Sequence, residues 1–223
     1  MANEHTTPHP PETAEFGHVT PGGPTHAYER HDGMEVKKFS VGPFDNNVYV
    51  IRCAETNMGL LIDGAADPDR IIAELDGLDV VGIVQTHGHP DHVQALPKLV
   101  TSLGVPVYCH GSESKRMGVE SRPIGDGQTL QVGAIDVDVW HTPGHTPGSL
   151  SFLAKGHLFS GDTLFPAGPG NTFERPAAFQ EVMRSLDRLF TLPDDTRVSP
   201  GHGLDTTLAR ERPYVEIWRA RGW

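Results

Sequence analysis

The chain has 223 residues, of which 37% are hydrophobic, and a formal net charge of −11. This length supports one domain with a sizeable core, and no stretch reaches the ~20 apolar residues that a membrane span needs. The acidic balance argues against a nucleic-acid partner, which requires clustered Lys and Arg, and leaves a small molecule as the expected partner. Two cysteines, Cys53 and Cys109, are too few for a disulfide framework. The N-terminus shows no positively charged start followed by an apolar run, so a reducing cytoplasm is the expected location.

Residues 1–33 are rich in Pro, Gly, Thr and His and lack apolar periodicity. They read as an N-terminal extension, flexible or draped over a domain that occupies 34–223. Five of the thirteen histidines lie there, His5, His9, His18, His26 and His31. Their spacing matches no ligand pattern, so polar composition accounts for them better than metal loading. The domain then opens with an alternating strand over Val36 to Val41, a turn at GPFDNN, a strand VYVIR and a buried strand MGLLID. DPDRIIAEL predicts a short helix, with Asp67 or a neighbour capping it and Pro68 in its first turn. VVGIVQTH predicts a buried strand that delivers a histidine-rich loop at its C-terminal end; His92 to Leu103 is helical in pattern, and VPVYCH returns to strand.

The second half repeats the theme. TLQV, AIDVDVWH, SLSFLA and HLFSG are strands in close succession. AAFQEVMRSLDRLF is an amphipathic helix with Ala178, Val182, Leu186 and Leu189 on one stripe. TRVSPGHG forms a last strand and loop, and a helix-like tail is broken at Pro213. Strands followed by helices, twice over, predict two packed sheets with helices on the outer faces.

The chemistry concentrates at the ends of these strands. THGHPDH, residues 86–92, offers His87, His89, Asp91 and His92 directly after an apolar strand. Imidazole and carboxylate suit zinc, and period-two alternation aims His87 and His89 the same way. A solvated, histidine-rich turn would explain this motif alone, but three further segments repeat the pattern. HTPGHTPGS places His145 in a stiff loop, SGDTLF places Asp162 just after a strand, and SPGHG does the same for His202.

In these segments the chain resembles the metallo-β-lactamase fold superfamily. Its pattern H-x-H-x-D-H, followed by a later His, an Asp and a final His, occurs in order between residue 34 and about residue 219. The resemblance implies a four-layer αββα sandwich with metals in a cleft at one edge. It implies that His87, His89 and His145 bind one metal, that Asp91, His92 and His202 bind a second, and that Asp162 bridges them. Asp63, in LIDGA, matches a position that supports the ligands from behind. Two zinc ions per chain are expected, with iron or manganese as alternatives.

His92 and Asp162 set the chain apart from cysteine-liganded β-lactamases, and neither cysteine falls in a ligand motif. GDTLF with a following Gly-rich turn is similar to glyoxalase II-like thioester hydrolases (hydroxyacylglutathione hydrolases). The turn itself, AGPGNTF, departs from theirs, and only about 20 residues follow His202, too few for a glutathione-binding helical domain. The expectation is therefore a small-molecule thioester hydrolase, with a carrier thiol such as mycothiol in place of glutathione. Its nucleophile is expected to be a hydroxide bridging the two metals, with Asp91 and Asp162 as catalytic carboxylates orienting its proton. Alternatives are a lactone or ester hydrolase on the same site and a mononuclear iron persulfide dioxygenase. For a lactone, Tyr49, Tyr108 and Tyr214 are candidate proton donors. Trp140, Leu164, Phe165, Phe173 and Trp218 are candidates to line a pocket or to pack the core, and Arg175 to meet an acidic substrate or water.

Overall fold

The computed structural model describes residues 17, 19–20, 22–29 and 32–222. Strands β1 (His26–Glu29), β2 (Met34–Val41), β3 (Asn46–Cys53), β4 (Met58–Ile62), β5 (Asp79–Val84), β6 (Val107–Cys109) and β7 (Arg122–Pro123) form one sheet in that order. The first four pair antiparallel and the rest run parallel to β4. The second sheet has the order β15-β14-β11-β10-β9-β8, built from β8 (Thr129–Val132), β9 (Ile135–His141), β10 (Leu150–Ala154), β11 (His157–Gly161), β14 (Arg197–Pro200) and β15 (Thr206–Thr207). A small hairpin, β12 (Leu164–Phe165) with β13 (Gly168–Pro169), stands apart from both.

Side-chain alternation explains how the sheets stack. On β2 and β3, Met34, Val36, Tyr49 and Ile51 face the second sheet and pack with Phe152 and Phe159. Their neighbours Phe39, Val41, Val48 and Val50 face outward. There they meet α1 (Pro68–Glu74) and α3 (Leu96–Leu103), which contribute Ile71, Leu96 and Leu99. The outer face of the second sheet buries Leu158 and Val198 under α4 (Pro176–Leu189) and α6 (Val215–Arg221). The result is the αββα sandwich that the alternation of strands and helices predicts.

Several expectations are corrected in detail. Strand β1 lies inside the segment read as an extension; its backbone pairs with Glu35 to Lys38, so sheet structure begins at His26. Gly23 and Thr25 also bind the domain, through Arg70 and Glu74. The extension's other histidines, His5, His9, His18 and His31, lie outside the described residues. Asp67 precedes α1 but does not cap it; its Oδ2 accepts the amide of Gly42 at 3.0 Å instead. The helix expected from His92 to Leu103 is two helices, α2 (Pro90–Val93) and α3. Pro97 has no N–H to continue α2 and sits in the first turn of a fresh helix. On α4 the buried stripe runs through Phe179, Val182, Met183, Leu186 and Leu189, leaving Ala178 at its margin. The tail comprises a short helix α5 (Leu208–Glu211), a 3-10 turn at Arg212–Tyr214 and then α6, so Pro213 interrupts the helix as predicted.

A candidate dinuclear metal centre

All seven side chains singled out from the sequence meet at one edge of the sandwich, where strand ends from both sheets converge. His87 and His89 follow β5, and Asp91 and His92 open α2. His145 lies between β9 and β10, Asp162 follows β11, and His202 follows β14. His87 Nε2 and His145 Nε2 lie 3.1 and 2.9 Å from His89 Nδ1. On the other side, His92 Nε2 and His202 Nε2 are 3.2 Å apart. Asp91 Oδ2 is 3.4 Å from His202 Nε2 and 3.6 Å from His92 Nε2. Asp162 stands between the two groups, 3.4 Å from His145 Nε2, 3.6 Å from His92 Nε2 and 3.7 Å from His202 Nε2.

The partners of the opposite ring nitrogens determine what these rings present. His92 Nδ1 donates to Asp63 Oδ2 at 2.8 Å. His145 Nδ1 donates to the carbonyl of Asn171, and His202 Nδ1 to that of Phe44, both at 2.7 Å. Thr86 gives its hydroxyl to Asp63 and faces His87 Nδ1 at 3.1 Å. With Nδ1 so occupied in His87, His92, His145 and His202, each of these rings in its neutral form turns an Nε2 lone pair into the cluster, across gaps near 3 Å. Such lone pairs repel unless a cation lies between them. Asp162 Oδ1 is buried and has no hydrogen-bond partner, an expensive arrangement for a carboxylate without a cation. Gly201 leaves the space open: a Cβ there would sit 2.1 Å from Asp162 Oδ1 and 2.8 Å from His92 Cε1. Three overlapping sets emerge as possible metal-binding groups: His87, His89 and His145; His87, His92 and Asp162; and Asp91, His92 and His202.

Electrostatics point the same way. Burial first, then the neighbouring imidazoles, hold the pKa of His87 well below the usual value, and burial lowers His89 and His145 too. Neutral imidazole is the form that ligates. Burial works against protonating His92, but Asp162, Asp63 and Asp91 outweigh it and push its pKa up to about 9. Hydrogen bonding from His202 holds Asp91 well below the usual carboxylate range, despite burial. The carboxylates therefore favour positive charge at this spot, from a proton or from a metal.

The groups that hold the cluster in place carry no motif of their own, and Tyr49, a candidate proton donor by sequence, is one of them. Asn46 donates to Asp91 Oδ2 at 2.9 Å. Asn47 and Tyr49 donate to the carbonyl of Pro200, at 3.0 and 2.7 Å, and so fix the loop that carries His202. Lys38 reaches the same loop at Gly203 O and pairs with Asp205 at 2.8 Å, both side chains fully buried. Glu113 accepts the amide of Gly148 in the His145 loop. These bonds cross up to 167 residues of chain, and only the asparagines of the GPFDNN turn lay near a motif.

The remaining candidates divide. Phe165 lines a groove beside Asp162, and Phe173, half exposed, packs its ring against His89 and His145. Leu164 and Trp218 are buried in the core, and Trp140 packs against that cluster under Arg188. Tyr49 is committed to Pro200, while Tyr108 and Tyr214 pack against hydrophobic clusters. Arg175 spends its guanidinium on the carbonyls of Thr172 and His145, bracing the metal loop. Both cysteines are free and buried. Among the described residues no helix is long and apolar enough to cross a membrane.

A two-sheet sandwich with histidines and aspartates gathered at one edge defines a class of metal-dependent hydrolases. The family model for the metallo-β-lactamase superfamily matches residues 41–202, and the chain belongs to that superfamily. Hydroxyacylglutathione hydrolase of Nitrosomonas eutropha is 34% identical over 171 residues, covering 75% of this chain and 64% of the relative, so this chain spans less than two thirds of that enzyme's length. Among solved structures, the BLEG-1 B3 metallo-β-lactamase superposes with a TM-score of 0.74 at 27% identity, covering 82% of this chain and 98% of its own. TTHA1623 in a di-iron-bound form has a TM-score of 0.68 at 34% identity, covering 78% and 95%.

Proposed function

We propose that the chain is a dinuclear zinc hydrolase of small acyl thioesters. The observation that carries this reading is Asp162, whose buried Oδ1 has no hydrogen-bond partner and whose carboxylate stands between two groups of convergent imidazoles. In this reading His87, His89 and His145 would hold one cation and Asp91, His92 and His202 the other, with Asp162 within reach of both. When bound, two such cations supply an acidified water and a Lewis acid for a carbonyl oxygen. The di-iron state of TTHA1623 makes iron the alternative metal.

The chain's own residues then do three things. Asp63 and the carbonyls of Asn171 and Phe44 hold the imidazoles in one tautomer and orientation. Asp91, kept ionised and aimed by Asn46, accepts and orients the proton of the attacking water, a role Asp162 shares. The hairpin β12–β13 and Phe173 shape the walls beside the reacting bond. A thiolate leaves readily, with a pKa near 8.5 for a Cys-like thiol, so no strong general acid is needed. Of the three candidate tyrosines, Tyr49 gives its hydroxyl to Pro200 O, and Tyr108 and Tyr214 pack their rings against hydrophobic clusters, which favours a thioester over a lactone. The similarity to a hydroxyacylglutathione hydrolase supports an acyl-thiol substrate. The net charge of −11 is unsuited to nucleic acid.

A mononuclear iron dioxygenase would need only two histidines and an aspartate, fewer than the side chains gathered here. The deciding assay is release of free thiol from a panel of acyl-thiol substrates, run beside oxygen uptake with a thiol persulfide. Thiol release that is lost in Asp162→Asn together with metal is the expected result. Oxygen uptake without thioester turnover would replace the hydrolase reading with the dioxygenase.

A further inference from the structure

His145 comes from one loop and His87 and His89 from another, so the gap among them is only as well defined as the spacing of the two loops. The amide of Leu150 donates to Thr86 O at 2.8 Å and joins the loops at their bases. Nearer the imidazoles, the 3-10 turn Gly111–Arg116 after β6 touches both. Toward the His145 loop, Glu113 Oε1 accepts the amide of Gly148 at 3.0 Å. A Cβ on Gly148 would fall 2.6 Å from Glu113 Cγ and would also strike the hydroxyl of Ser112. His110 caps the turn by accepting the amide of Ser112 at 3.3 Å and stacks its ring on His141, centroids 4.4 Å apart and planes 3° apart. His141 Nε2 in turn donates to Pro147 O at 2.9 Å.

Toward the other loop the turn meets Gly88, which separates His87 from His89. A Cβ there would fall 2.8 Å from both Glu113 Oε2 and Arg116 Cβ. One glutamate is thus wedged between a glycine of each histidine-bearing loop. It is only 2% exposed, and its Oε2 has no hydrogen-bond partner; the half-exposed guanidinium of Arg116 stands 3.6 Å away. Burying a carboxylate with so few bonds is costly. If the space needed only filling, an apolar side chain of similar volume would serve better. What glutamate adds at this position is the acceptor for Gly148.

We propose that Glu113 is a positioning residue for the three-imidazole group: it fixes His145 relative to His87 and His89 and so defines the place of one cation. This rests on the reading in which both groups of side chains take a cation. The Asp91–His92–His202 group is braced from elsewhere, by Asn46, Asn47 and Tyr49, so Glu113 acts on one half of the centre. Groups that orient metal ligands from behind typically govern affinity by about 10–100-fold.

The test is nuclear magnetic resonance of cadmium bound to the chelated and reloaded chain, each signal assigned by its loss in His89→Ala or His202→Ala. Glu113→Met fills the space without an equivalent acceptor, and Glu113→Asp is one methylene too short for Gly148. Both should displace or broaden the His89-linked signal and weaken cadmium at that site about 10–100-fold in competition with a chelator. The His202-linked signal should stay in place. Glu113→Gln keeps an oxygen for Gly148 and should restore most of the wild-type spectrum. Asn46→Ala should give the reverse pattern and move the His202-linked signal alone. An unmoved His89-linked signal in Glu113→Met and Glu113→Asp overturns the proposal. So does equal displacement of both signals, the mark of general loosening, or a Glu113→Gln spectrum that matches Glu113→Met. A wild-type chain without the His202-linked signal removes the dinuclear reading and leaves Glu113 to be judged on the other; one without the His89-linked signal overturns both.

Discussion

Gly201→Ala isolates the space that the metal reading requires, because it removes no proposed ligand. The added methyl group would lie 2.1 Å from Asp162 Oδ1 and 2.8 Å from His92 Cε1. Ordinary carbon contacts begin near 3.4 Å, so Asp162 or the loop must retreat by more than an ångström. The loop has little freedom: the carbonyl of Gly201 accepts the amide of Asn47, its own amide donates to Gly161 O, and Pro200 is held by Asn47 and Tyr49. The carboxylate is therefore the part that moves. Metal–ligand distances tolerate only about 0.2 Å, and misplacement of a reacting group by about 1 Å costs on the order of 100-fold in rate. Gly201→Ala should purify folded, with at least one metal per chain lost and thiol release reduced about 100-fold or more. Elemental analysis and the thiol assay on one preparation provide the check. Wild-type metal content with undiminished turnover would refute the argument that Asp162 is held in place for a cation.

Asp63→Asn suits a residue whose φ of 63° asparagine also adopts, but it replaces one of the two carboxylate oxygens that accept from Thr86 and His92 with an amide nitrogen that can only donate. Metal affinity, read by competition with a chelator, should fall about 10–100-fold. Asp205→Ala leaves the fully buried ammonium of Lys38 without its carboxylate and should destabilise the fold by roughly 3–5 kcal/mol in urea titrations; a loss below about 1 kcal/mol would show the pair to be unimportant. In the metal-free chain, the pKa of His92 is raised from 6.5 to about 9. Its contribution to stability is then fully present below about pH 6.5 and is lost as pH rises through about 9. Urea midpoints of the chelated protein should decline over that interval, and His92→Gln should flatten the decline.

Local pattern made most of the site legible. THGHPDH, HTPGHTPGS, SGDTLF and SPGHG each sit at a strand end, and strand ends meet at one edge of a sandwich, so ligand type and position could be read together. Asp63 was recognisable by its motif. The network beneath was not, because residues 38 and 205, 47 and 200, and 113 and 148 meet only once the sheets have packed. Lys38 is the clearest case. Its register on β2 marks an inward position, yet a lysine there reads as solvated until Asp205 supplies its partner. Strand β1 escaped for a different reason: an edge strand is held by backbone hydrogen bonds to β2, which a Pro-, Gly- and His-rich sequence does not signal. The split between α2 and α3 was available in Pro97, whose missing N–H outweighs helical periodicity.

The most direct test of the central claim is the metal content of protein purified without added metal and without a histidine tag. A dinuclear hydrolase predicts about two zinc ions per chain, falling in Asp162→Ala. About one iron per chain with little zinc, unchanged by that substitution, would contradict it.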